Sequence, residues 1–508
     1  AIMLTLAHVL EALTGYQVGA PSNGGSAQII TDVGIDSRFT IPGSLFVALP
    51  GERTDGHDFI GEAFRRGAVA ALVERDLNPA EFNSLDLRQT VTFEQAQPIG
   101  IPVCLRVEDS LAALQTVARY WRKRLDVRVT GVTGSVGKTT TKELIASVLE
   151  TRYRTLKTEG NLNNEIGLPL TLLKLTEAHQ QAVLEMGFYK PGEITFLCDI
   201  ARPHVGVVTN VGISHLGQAG SLQAIAQGKG ELVEALPLDG VAVLNYDDEL
   251  VRAMATRTQA SIFSYGLDPT ATLWADEIEG LGLEGIRFRL HHRPSGESRR
   301  DETLTVKLLL LGRHSVHTAL RAAAVGLIEG LSWQDIVEGL TSAAPQLRLV
   351  AVTGPRDSLL LDDTYNASPE SMIAALNLLR ELGGRRIAVL GDMLELGDYE
   401  QRAHRLVGGR AREVADLLIT LGARGQIIAE AARSAGLRAE QVRSFQQRSE
   451  VVAFLRQEIR AGDVVLVKGS RGMRMDRIVS ALEAADECAS PRLPSRSAVS
   501  PFCWLSFG

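Results

Sequence analysis

The sequence predicts an α/β protein of three domains: a small N-terminal α/β domain, a central parallel-sheet domain with a phosphate loop, and a C-terminal doubly wound domain. Three observations carry this. At 508 residues the chain exceeds a single core, and the usual domain size gives roughly three. The stretch from Val127 to Ile145 reads as a buried strand, a glycine loop and a helix. From Leu359 onward, apolar runs of strand length alternate with helical patterns. The boundaries are set at 1–108, 109–343 and 344–489, with the aperiodic Pro- and Ser-containing stretch 490–508 read as a disordered tail.

Composition bounds the function. Apolar content of 45% and charged content of 22% are those of an ordinary globular protein. A formal charge of −7 argues against nucleic acid or an acidic membrane as main partner, so an anionic substrate needs local basic pockets. Cys104, Cys198, Cys488 and Cys503 lie far apart, with no C-x-x-C pair and no His at ligand spacing, which suggests neither a disulfide framework nor a zinc site. No run approaches the ~18 apolar residues of a membrane span. The opening helix carries His8 and Glu11 inside its apolar face, unlike a signal peptide. A reducing cytoplasm and a monomer are the expectations.

In the first domain Leu45 to Leu49 reads as a short strand and Phe59 to Arg66 as a helix. Asp36, Ser37 and Arg38 share a turn. It is either an Asx turn with a solvated Arg or a pocket for a phosphate or base, since Arg makes forked contacts to phosphate. Residues 77–102 read as a loop-rich linker, followed by a helix from Ser110 to Arg124.

The phosphate loop opens the central domain. Gly134-Ser135-Val136-Gly137-Lys138-Thr139-Thr140 turns backbone N–H groups and a helix N-terminus toward one point, which favours a polyanion. The generic G-x-x-x-x-G-K-[ST] pattern assigns Lys138 to the outer phosphates and Thr139 to Mg2+. Its first glycine falls on Val132, with Gly131 one residue early. Two further apolar runs end in Glu185 and His215. In an open parallel sheet, strand ends of this kind converge on the ligand, and a carboxylate there can hold Mg2+. The segment Thr158 to Pro169 packs Asn161, Asn163, Asn164 and Glu165 into a loop. It is suited to an amide-rich or sugar substrate, or is simply a turn-rich connection. Lys229 lies on a helix, and Leu244 to Asp248 ends a strand.

A small-residue helix opens near Leu311, and Ala344 to Leu349 reads as a junction. The strands beyond are Leu359 to Leu361, Ile387 to Leu390, Leu417 to Leu421 and Val464 to Val467. Their ends carry Asp362-Asp-Thr-Tyr-Asn-Ala-Ser-Pro369, Gly391-Asp-Met-Leu-Glu-Leu-Gly397 and Lys468-Gly-Ser-Arg-Gly-Met473.

These blocks, in this order from about Leu4 to Glu487, resemble the Mur ligase family, the ATP-dependent amide-forming ligases of peptidoglycan precursor synthesis. Within it, the Thr158–Pro169, Asp362–Pro369 and Gly391–Gly397 passages resemble the member that adds D-alanyl-D-alanine to UDP-N-acetylmuramoyl-tripeptide. The resemblance implies ATP and Mg2+ as cofactors. It also implies a first domain holding the UDP end through Asp36, Ser37 and Arg38, a central ATP-binding domain, and a C-terminal Rossmann-like domain closing over both. It places Thr139, Glu185 and His215 near magnesium and Lys138 among the catalytic residues. Lys229 matches a lysine that is carbamylated in some sister ligases, and Arg348, Asp363, Tyr365 and Asn366 fall on or beside nucleotide-binding positions. One passage departs. The family reads Gly-x-His-Asn-x-x-Asn where this chain has Gly312-Arg-His-Ser-Val-His-Thr318, so Ser315 and Thr318 replace two amides. Three rivals remain: a Mur ligase that adds diaminopimelate or lysine, a folate-polyglutamate ligase, and a nucleotide switch. The first lacks its Asp-Asn-Pro-Arg signature here, the second does not explain Asp36–Arg38, and the third leaves Asn161–Glu165 without a role.

Overall fold

The computed structural model describes residues 3–15, 27–51, 54–88, 99–212, 220–294, 301–342 and 350–487. His215, Arg348, the 344–349 junction and the 490–508 tail lie outside the described residues. The chain divides into two compact units, one comprising 1–348 with 368–381 and 394–403, the other the remainder.

The first unit contains two sheets. The N-terminal sheet has five parallel strands, ordered Val33–Gly34, Leu45–Val47, Ala70–Val73, Val103–Arg106 and Ser84–Asp86. Ser84–Asp86 lies inside the expected linker 77–102, which is therefore not wholly loop. With three residues on an edge, it has too little periodicity to register in sequence. The helix Ser110–Arg124 has the predicted bounds. Its N-cap Asp109 accepts from the Ala112 amide at 2.8 Å, and three basic residues close its last turn, favourable at the negative end of the helix dipole. Its apolar face joins the two sheets into one core, with Leu6, Leu10, Leu72 and Leu105 on one side of Leu114 and Trp121 and Leu172 and Leu184 on the other.

The central sheet has nine strands. From one edge, Thr155–Lys157, Gln181–Glu185, Arg128–Thr133, Val205–Val208, Val241–Asn245 and Ser261–Gly266 run parallel. Gln181–Glu185, Arg128–Thr133 and Val205–Val208, at the middle of this set, are buried along almost their whole length because the sheet is covered on both faces there. Leu273–Gly280, Ile286–His292 and Glu302–Leu308 then add an antiparallel meander that the sequence reading did not anticipate. The alternation in Ile286-Arg-Phe-Arg-Leu-His-His292, buried at every other position, is its signal.

The second unit is built on a six-stranded sheet ordered Val350–Gly354, Ser358–Asp363, Val464–Lys468, Arg386–Gly391, Leu417–Leu421 and Val442–Phe445. The four predicted strands are its parallel centre, and Val442–Phe445 extends the parallel set at one edge. Val350–Gly354 is an antiparallel edge and largely exposed; its short Val350-Ala-Val352 run adjoins the expected 344–349 junction and was not assigned as a strand.

Candidate active site

The phosphate loop follows the Arg128–Thr133 strand, between two parallel neighbours. Val132 pairs with Glu185 on one flank and Thr133 with Val208 on the other. Glu185 and Thr209 therefore stand on either side of the loop, at the carboxyl edge where ligands bind in such sheets. The loop is tied to the second flank. Ser135 and Val136 donate their amides to Asn210 O and Oδ1, both at 3.0 Å, and Thr209 Oγ1 donates to the Val136 carbonyl at 2.7 Å. Ser135 Oγ also donates to Gly212 O at 3.0 Å and accepts from its amide at 2.8 Å.

Two glycines explain the imperfect motif. Gly134 has φ +146°, and a Cβ there would lie 1.7 Å from Thr209 Oγ1, so only glycine lets the loop meet its flank. Gly131 instead lies within the strand, where a Cβ would press on Leu232 and Met186. It is a packing glycine and not the pattern's first.

The helix Lys138–Glu150 starts at Gly137, which offers its first turn no side-chain cap. First-turn amides of this kind, with the dipole behind them, make an anion site. Lys138 Nζ donates to Gly134 O at 2.8 Å, folding back across the loop it is expected to serve.

On the first flank Thr139 Oγ1 donates to Glu185 Oε2, and Asn163 Nδ2 donates to Glu185 Oε1 at 2.9 Å. Three segments distant in sequence meet at one buried carboxylate, which is 3% exposed. A threonine hydroxyl and one carboxylate beside a polyphosphate cradle fit Mg2+, which is characteristically held by one or two carboxylates plus phosphate oxygens. The rest of the polar loop divides. Asn164 Oδ1 accepts from the Gly167 amide at 2.9 Å and so caps the next helix, while the Glu165 carbonyl accepts from Gln115 Nε2 at 3.0 Å. The Asn161 carbonyl accepts from the Asn163 amide at 2.8 Å. Among these four, Asn163 is the side chain bonded into the site.

Lys229 lies on the Leu222–Glu234 helix, fully buried, with its ammonium 4.9 Å from the Phe188 ring centroid. Burial, and then the charge of Lys138, hold its pKa well below the ordinary lysine value. One group at the loop was not anticipated: Arg321, on the Ser315–Ile328 helix, whose guanidinium approaches Gly137. It lies within a run of buried Ala and Leu residues, Ala319 to Ala324, and a charged residue in such a run is the signal that was available.

Asp36 accepts from the Arg38 amide at 3.0 Å and pairs with its guanidinium at 2.6 Å, while Ser37 Oγ donates to Glu62 at 3.0 Å. This is the Asx turn, with Arg38 held toward Asp36 and largely in solvent. In the second unit, Lys468 Nζ is buried between Asp363, at 2.8 Å, and the Asn366 carbonyl, at 2.9 Å. The Arg471 guanidinium lies 5.8 Å from the Tyr365 ring centroid.

Comparison with known proteins agrees with this geometry. The Mur ligase family, catalytic domain model matches residues 29–118, the Mur ligase middle domain model residues 132–326, and the Mur ligase, glutamate ligase domain model residues 347–471. The UDP-N-acetylmuramoyl-tripeptide–D-alanyl-D-alanine ligase of Synechocystis is 39% identical over 90% of this chain and 92% of its own. The enzyme of that name from Escherichia coli is 33% identical over 96% of this chain and 100% of its own. A crystal structure of MurF from Acinetobacter baumannii superposes with a TM-score of 0.77 at 32% identity, covering 94% of this chain and 98% of that one. MurF ligase from Thermotoga maritima, solved with ADP, gives 0.73 at 28% identity over 90% and 98%. With three family domains matched along its length and relatives above 30% identity covering nearly all of it, the chain belongs to the Mur ligase family.

Proposed function

We propose that this protein joins D-alanyl-D-alanine to UDP-N-acetylmuramoyl-tripeptide while converting ATP to ADP and phosphate, giving the pentapeptide precursor of peptidoglycan. The observation that carries this reading is the coincidence of near full-length similarity to ligases of that name with a loop, a lysine and a buried carboxylate arranged for a metal-bound triphosphate. ATP binding rests on the geometry of residues 134–140 and on the relative solved with ADP. A cytoplasmic location and a monomeric state belong to the same proposal; no helix among the described residues is long and apolar enough to cross a membrane. The boundaries 1–108, 109–343 and 344–489 are proposed for UDP-sugar binding, ATP binding and the C-terminal ligase domain.

A carboxylate is a poor acyl donor because oxide is a poor leaving group, so the tripeptide carboxylate first attacks the γ-phosphate, releasing ADP. Lys138 offsets charge building on the transferring group, and the first-turn amides hold the phosphates in place. Thr139 and Glu185, with His215 as a further neighbour, would hold Mg2+, which when bound would supply charge neutralisation at the phosphates. The dipeptide amine then attacks the acyl phosphate, the carbon–oxygen bond breaks, and phosphate leaves as the amine loses a proton. Asn163 orients Glu185 through its 2.9 Å hydrogen bond. Burial holds the Lys229 amine well below the ordinary lysine pKa beside the loop lysine Lys138, a setting that disfavours a second ammonium there. Asp36, Ser37 and Arg38 are proposed at the UDP-sugar, and Arg348, Asp363, Tyr365 and Asn366 at the nucleotide.

The test is an amine panel offered with ATP, Mg2+ and the tripeptide precursor. D-Alanyl-D-alanine should be ligated in preference to any single amino acid, with one phosphate released per bond formed. Preference for diaminopimelate, lysine or glutamate would move the chain to a sister activity, and phosphate release without an amine would favour a nucleotide switch.

A further inference from the structure

Arg321 is 4% exposed, and its hydrogen-bond acceptors among the described residues are all neutral. Nη2 donates to Thr318 Oγ1 at 2.8 Å, and Nη1 to the Tyr265 hydroxyl at 3.3 Å and the Thr209 carbonyl at 3.5 Å. Its Nε is buried with no acceptor among the described residues. A buried cation supplied only with neutral acceptors destabilises a fold unless an opposite charge arrives. The phosphate loop is where one would arrive, because a Cβ on Gly137 would stand 3.5 Å from Nη2. Thr209, which accepts from Arg321, also donates to the loop at Val136. The guanidinium therefore stands on the Thr209 flank, across the loop from Glu185. Tyr265, fully buried, turns its ring toward the cation at 5.7 Å and holds no charge of its own, since burial raises its pKa.

We propose that Arg321 supplies a fixed positive charge to the phosphate chain of the nucleotide from this second flank, and that the bound nucleotide is the counter-ion it lacks among the described residues. The metal side and the arginine side would then grip the same polyphosphate from opposite directions. Thr318, one of the two positions departing from the family's paired amides, is the anchor that orients the guanidinium. The inference rests on the nucleotide assignment made above, and its test separates the two.

The full-length protein and its Arg321→Met and Arg321→Lys variants are compared for ADP and adenosine affinity by calorimetry at low and high salt. Their melting temperatures are measured with and without ADP. The Met variant should bind ADP roughly tenfold or more weakly, with a shallower salt dependence and unchanged adenosine affinity, and Lys should recover most of the loss. Without nucleotide the Met variant should melt no lower than the parent, while its ADP-induced rise should be smaller. Equal losses for ADP and adenosine, or a lowered melting temperature with unchanged ADP affinity, would make Arg321 a packing residue and overturn the proposal. Failure of the parent protein to bind ADP would overturn the nucleotide assignment as well. ADP binding by the parent with an indifferent Met variant would sink the Arg321 inference alone.

Discussion

At the carboxyl edge of the central sheet, Thr139 and Asn163, from two separate segments, both donate to Glu185 on a third. In the N-terminal sheet, Asp36 and Arg38 are two residues apart and satisfy each other. The difference is one of burial as much as of distance. Glu185 is buried with two side-chain donors, so its environment is fixed before a ligand arrives. The Arg38 side chain is 75% exposed, and a solvated pair of this kind contributes little to stability. A phosphate could take Arg38 from Asp36 at small cost. The first cluster is preorganised for chemistry, and the second is suited to capture.

Substitutions should separate the two clusters by size of effect. Lys138→Ala should lower pentapeptide formation on the order of 10³-fold, because a fixed charge on the transferring phosphate is lost. Glu185→Gln should cost about 10²-fold, mostly in kcat, and raise the Mg2+ concentration needed for half-maximal rate; an unchanged magnesium dependence would remove Glu185 from the metal. Arg38→Ala should cost less, about tenfold and chiefly in the KM for the UDP-linked precursor, with kcat for bound precursor preserved. A kcat loss there as large as that of Glu185→Gln would erase the distinction.

A smaller effect concerns pH. The folded pKa of Lys229 lies well below its ordinary 10.5, so between those two values the unfolded chain carries a proton that the folded chain does not. Stability from this group therefore rises with pH through that window. Lys229→Met should flatten that rise in urea titrations of the ligand-free protein; an unaltered slope would mean that the amine is not the titrating group. Smallest of all, Cys104, whose thiol is pushed up to about 12 by burial, should resist alkylation at pH 8 until the protein unfolds.

The sequence showed the site wherever a strand was long and apolar and ended in a polar residue. The phosphate loop, Glu185 and the four central strands of the second unit were legible for this reason. It failed where segments were short or exposed, as at Ser84–Asp86 and Val350–Gly354. Within Asn161–Glu165 it identified a polar loop but not its division of labour. Which amide caps a helix and which turns to a carboxylate depends on a partner 22 residues away. Arg321 was overlooked because its importance comes from Gly137, Thr209 and Tyr265, which are remote from it in sequence.

The central claim is that the phosphate loop activates a peptide carboxylate by phosphorylating it. The direct measurement is to supply tripeptide precursor labelled with oxygen-18 in its terminal carboxylate, together with ATP, Mg2+ and D-alanyl-D-alanine, and to weigh the phosphate released. An acyl phosphate transfers one labelled oxygen to each phosphate. Phosphate released without the label, alongside normal pentapeptide formation, would contradict the account.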